Sequence, residues 1–76
     1  MGKHAFALTP ARQRILETAN GDKLGLVDRP YLTGFERVSW DRNAAVLVEW
    51  GMLERYRHGG YEITEAGRRL LKGLEQ

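Results

Sequence analysis

The sequence predicts a small α+β domain in which a β-hairpin lies between helices, and three stretches carry that reading. Ser39 to Gly51 holds a helix start, an amphipathic body and a helix stop. Met52 to Thr64 reads as two short strands around a Gly59-Gly60 turn. Leu8-Thr9-Pro10 opens an earlier helix with a cap and a proline. The 76 residues allow one domain, 1-76. A chain this short buries only roughly 60% of its unfolded surface, so each large apolar residue weighs heavily.

Taken in order, Met1 to Ala7 is a weakly patterned arm. Its Lys3 and His4 are either a frayed terminus or a basic reach toward a groove. Thr9 can cap a helix, and Pro10 suits the first helical position, where an N–H has no partner anyway. Ala11, Ile15, Leu16 and Ala19 form the apolar stripe, Arg12 lies within it with a packed stem, and Asn20-Gly21 stops the helix. Asp22 to Val27 is an aperiodic connector, with a short strand over 24–27 able to pair with the hairpin. Tyr31, Leu32, Phe35 and Val38 fall within ~120° on a helical wheel, which predicts a short second helix within Asp28–Val38. Pro30 fits only its first turn, and Gly34 costs up to ~1 kcal/mol against alanine.

Ser39 is a good N-cap for the third helix, Asp41 suits the positive end of its dipole, and Gly51 can end it in the left-handed conformation. At about 100° per residue, Trp40, Ala44 and Leu47 fall on one side, and Arg42, Ala45, Val46 and Glu49 on the other. An arginine beside small and apolar residues suits either a surface that closely approaches something or a helix buried on most sides. Gly59-Gly60 reads as a two-residue primed turn with positive φ at both positions. That register pairs His58 with Tyr61, Arg57 with Glu62 and Tyr56 with Ile63, the last pair facing the core. Thr64 caps a last helix with Ala66, Gly67, Leu70, Leu71 and Leu74 on its apolar face and Arg68, Arg69 and Lys72 opposite.

A helix followed by a tight basic hairpin resembles the winged helix-turn-helix, with the hairpin (53-63) as its wing. Ile63-Thr64-Glu65-Ala66-Gly67-Arg68-Arg69-Leu70-Leu71 is similar to the strand-to-last-helix junction of MarR-type and PadR-type bacterial transcriptional regulators. Glu49-Trp50-Gly51-Met52-Leu53-Glu54-Arg55 resembles their recognition-helix exit, and Leu8-Thr9-Pro10 resembles the MarR-type opening. The resemblance covers about two-thirds of the chain. It implies a three-helix core with a hairpin wing and a C-terminal helix. It also implies sequence-specific binding of double-stranded DNA, with helix 40-50 in the major groove and the wing on the backbone, as a small transcription regulator. The chain departs from the pattern at Glu36-Arg37-Val38, where such regulators place a glycine or asparagine before the recognition helix.

The candidate base contacts are Arg42, Asn43, Ala45 and Val46. Arginine offers a bidentate fork to guanine, asparagine the same to adenine, and valine can touch a thymine methyl. Each has a plainer reading: Arg42 paired with Asp41 or Glu49, and Asn43 turned inward toward the second helix as a satisfied polar residue. Arg37, before the helix, and Arg55, Arg57 and His58, around the glycine turn, are the candidate phosphate contacts, which position without reading sequence. Glu62 opposite Arg57 offers that arginine an ion pair instead. Both histidines are isolated, the single serine is accounted for as a cap, and no cysteine occurs. No catalytic residue, metal site or cofactor is predicted, and the chain reads as no enzyme. No small-molecule pocket is legible.

Net charge is +2 with a pI near 9.3, which permits nucleic acid without demanding it. No apolar run approaches the ~18 residues of a membrane span, and Met1 to Leu8 lacks a signal-peptide core. The expected location is cytoplasmic, away from membranes. The rival function is a winged helix used as a protein-protein interaction module, which Asp41, Glu49 and Glu54 near the helix face favour. Two or three leucines on the last helix would barely offset the ~4–15 kcal/mol cost of association, so a monomer or weak homodimer is expected.

Overall fold

A computed structural model describes residues 8–74, so the arm Met1–Ala7 with its Lys3 and His4 lies outside the described residues. The chain runs α1 (Pro10–Gly21), β1 (Leu26–Asp28), α2 (Gly34–Glu49), β2 (Leu53–Arg57), β3 (Gly60–Ile63) and α3 (Glu65–Leu74). It is a small α+β fold of three helices and one antiparallel sheet in the order β1-β3-β2. Four helices were expected. The predicted second and third are one, because α2 passes through Ser39 without a break.

Local chemistry accounts for the merger. No glycine or proline lies between Phe35 and Trp50, so nothing punctuates the run. Ser39 as a cap would satisfy one N–H, whereas continuing the helix satisfies every backbone group through that turn. Asp41 reinforces the joint from both sides: Arg37 Nε lies 4.0 Å from its carboxylate one turn earlier, and Arg29 Nη1 lies 3.2 Å away. The helix begins later than expected because Pro30 biases Arg29 toward extended backbone, leaving residues 29–33 irregular. The C-terminal stop is as expected. Gly51 N–H bonds to Val48 O and Met52 N–H to Leu47 O, the paired bonds of a Schellman ending.

The other helices follow their caps. Arg12 N–H donates to Thr9 Oγ1 at 3.3 Å with Pro10 next in line, and Gly67 N–H donates to Thr64 Oγ1 at 3.0 Å. Thr64 also donates its hydroxyl to Gly51 O at 2.6 Å, tying the start of α3 to the end of α2. The first helix runs one residue past the predicted stop, through Gly21 to Asp22. Asp22 then organises the connector: its carboxylate accepts from Leu26 and Leu24 N–H groups, which hold it below the usual carboxylate range. A strand does form in that connector and pairs with β3, Val27 opposite Tyr61.

The hairpin exists, but in a different register. Its turn residues are His58 and Gly59, and only Gly59 has positive φ, at +74°. A type I′ turn over Gly59-Gly60 would need positive φ at both. Gly60 instead enters β3 opposite Arg57, and a Cβ there would meet Asp28 Oδ1 at 2.7 Å. An irregularity between Arg55 and Arg57 leaves Tyr56 exposed rather than in the core, and Arg55, not His58, lies opposite the buried Tyr61. Such a bulge strengthens local twist and re-aims the side chains beside it.

One apolar cluster holds all six elements. Leu16, Leu47 and Leu53 are its largest fully buried side chains, joined by Ile15, Ala19, Val27, Ala44, Met52, Tyr61, Ile63 and Leu71. Trp40 and Tyr61 meet with ring centroids 5.9 Å apart. Leucine 74 is 51% exposed, so the last helix gives Leu71 and part of Leu70 to its own core. Two glycines of that helix make a contrasting pair. A Cβ on Gly67 would lie 2.5 Å from Met52 O, whereas one on Gly73 meets nothing within 4 Å. Gly67→Ala should therefore destabilise by about 1–3 kcal/mol despite its better helix propensity. Gly73→Ala should stabilise by up to ~1 kcal/mol. Urea melts of the two variants check both signs.

Candidate nucleic-acid interface

On α2 the core stripe is Trp40, Ala44 and Leu47, which places Arg42 and Glu49 on the far side with Ala45 and Val46 half-buried at its flanks. The idea of a helix buried on most sides is thereby removed. Arg42 is exposed, and among the described residues neither it nor Glu49 joins an ion pair; Asp41 is held by Arg29 and Arg37. An arginine left open beside two small apolar residues is chemically suited to a base edge or a carboxylate.

Asn43 does not share that face. It is half-buried toward α1, where its Oδ1 accepts from Arg12 Nε at 2.9 Å. Arg12 also lies over the Trp50 ring, 5.3 Å from its centroid, so its packed stem ends in a structural contact. The inward reading of Asn43 is the one its geometry matches, although the partner is the first helix.

The hairpin arginines divide. Arg57 Nη2 donates to Asp28 Oδ2 at 2.7 Å, across to β1 and not to Glu62. That hydrogen bond first, and the charge of Asp28 second, raise the guanidinium pKa above its ordinary value. Arg55 is exposed along one edge with its guanidinium 5.8 Å from the Tyr61 ring centroid. His58 is exposed at the turn, and Arg37 is exposed beside Asp41. The predicted set is thus only partly gathered: Arg37 joins the Asp41 cluster, Arg57 joins Asp28, and Asn43 faces α1.

Two features were not legible in the sequence. Arg29 is a hub, bonding Asp41 through its side chain and Gly59 O through its N–H at 2.8 Å, so it ties the hairpin tip to α2. Nothing in Asp-Arg-Pro signals that role. The second is a cleft of about 610 Å³ between α1 and the first half of α2, floored by Ala11, Ile15, Val27 and Trp40. Finding it needs the helix merger, which local pattern does not reveal. Among the described residues no group of His, Asp and Glu is arranged to hold a metal ion, and no helix is long and apolar enough to cross a membrane.

No family model matches this chain, and no curated protein or solved structure matches it.

The Arg12–Asn43 contact should behave as structure. Asn43→Ala should cost about 1 kcal/mol of stability, and a double-mutant cycle with Arg12→Ala should show coupling of similar size. Additive losses in chemical denaturation would mean that the bond contributes nothing.

Proposed function

We propose that this domain binds double-stranded DNA in the manner of a winged helix and serves transcription regulation. The outward face of α2 is offered to the major groove, and the hairpin edge to the backbone. The observation that carries the reading is Arg42: exposed, outside every ion pair of the described residues, and flanked by Ala45 and Val46. Its fork can take guanine O6 and N7, and Val46 can approach a thymine methyl. Arg55 and His58 are the hairpin groups best placed for phosphate, since Arg57 already serves Asp28. Asn43 drops out of the base-reading set on the strength of its Arg12 bond, and Arg37 is a phosphate contact only by leaving Asp41.

The second reading is a protein-protein interaction module. Its support is specific: Tyr31 is 94% exposed, Phe35 87% and Val38 53%, an apolar set unusual on a phosphate-facing surface. Salt separates the two. DNA binding through several phosphates weakens steeply as salt rises, with a slope of about −0.9 per phosphate in log–log form.

Fluorescence polarisation against duplex DNA at low and moderate salt tests the proposal. Arg42→Ala should weaken a selected site by about 1–3 kcal/mol more than random duplex. Equal losses would make Arg42 a phosphate contact. No binding to any duplex at low salt would reject the proposal.

A further inference from the structure

The first half of α2 stands away from the core. Residues 34–39 are all exposed, and beside them lies the cleft whose walls are α1 and α2. We propose that two copies of this chain associate reciprocally here, Tyr31 and Phe35 of each protomer seating in the α1–α2 cleft of its partner. The inference does not rest on DNA binding.

Three observations select a second copy as the occupant. First, knob and hole share one surface: the exposed Phe35 lines a cleft floored by Ala11, Ile15, Val27 and Trp40, and the exposed Tyr31 lies between two further lining residues, Pro30 and Leu32. A two-fold axis brings each patch onto the other, the self-complementarity that an isologous contact requires. Because α2 is continuous, its helical backbone fixes Phe35 at the rim and leaves the floor open.

Second, the charges agree. Arg14 on the α1 wall and Glu36 on the α2 wall are exposed, and among the described residues neither joins an ion pair. The reciprocal arrangement sets Arg14 of one protomer against Glu36 of its partner, twice. Opposite charge at the rim steers and registers an interface more than it tightens it.

Third, the area is sufficient. Two aromatic side chains of ~150–250 Å² each, covering a comparable stretch of cleft wall, remove roughly 600–1,000 Å² per protomer from water. A standard specific interface takes about 800 Å² per partner. The last helix offers much less, since Leu71 is already buried and only Leu74 is largely exposed.

Sedimentation velocity of the full chain, without DNA and from micromolar to near-millimolar concentration, tests this. The expected result is a rise from the 8.7 kDa monomer toward twice that mass. Phe35→Glu, at an exposed position, should remain monomeric throughout with an unchanged circular dichroism spectrum, while Leu74→Glu should dimerise like the parent. Arg14→Glu should weaken association several-fold, and adding Glu36→Arg should restore it. A monomer at every concentration would overturn the proposal. So would a dimer that Phe35→Glu leaves intact.

Discussion

Trp40, Ala44 and Leu47 recur along one stripe of α2, and that stripe is where the helix enters the apolar cluster with Leu16 and Leu53. Fully burying one such large side chain is worth about 1.5–3 kcal/mol, so in a 76-residue chain this grip sets the helix axis. It reaches only the second half of α2. The first half is held by helix hydrogen bonds and by Asp41 between Arg29 and Arg37, and it stands off the apolar floor of the cleft rather than packing on it. The open cleft, the exposed Phe35 and the outward Arg42 all follow from a long helix anchored at one end.

The arginines show how far charge is committed to the fold. Arg12 serves Asn43 and Trp50, Arg29 serves Asp41 and Gly59, Arg57 serves Asp28, and Arg68 serves Asn20. Exposed ion pairs contribute only about 0–1 kcal/mol each, so their role here is to fix direction more than to stabilise. Arg29 directs the hairpin tip toward α2, and Arg57 fastens β2 to β1 across the narrow sheet. Arg42, on the outward face of α2, and Arg14, on the α1 wall of the cleft, stand outside these pairings, which is why one enters the DNA proposal and the other the dimer.

Much of the fold was legible where a residue's own chemistry decides its conformation. Thr9-Pro10 and Thr64 start helices, and Gly51 ends one, because caps act within a few residues. The connector strand was legible in outline, as a short strand able to pair with the hairpin, although it forms over Leu26–Asp28. What failed depended on competition between near-equal local choices. Ser39 caps well in isolation, but a continuous helix with an ion pair at the joint satisfies more groups. Gly59-Gly60 suits a primed turn, yet Gly60 is taken into β3 between Asp28 and Arg57, so the turn falls one residue earlier, with a bulge beside it. Both differences reach the candidate residues: of the two readings open for Asn43 its geometry matches the inward one, and Arg57 was paired with Glu62 from a register that does not form. Arg42 kept its place because its side of the helix is the same with either start.

The continuity of α2 through Val38, Ser39 and Trp40 is the claim on which the cleft and both candidate surfaces depend. Backbone chemical shifts and amide NOEs from NMR in solution measure it directly. The expected result is unbroken helical Cα shifts from Phe35 to Glu49, with sequential amide contacts running through Ser39. Extended shifts at Val38 and Ser39, with the Asp41 or Arg42 amide protected by a Ser39 cap, would contradict it. Helix-turn-helix geometry would then return, with the first half of α2 folded into the cleft.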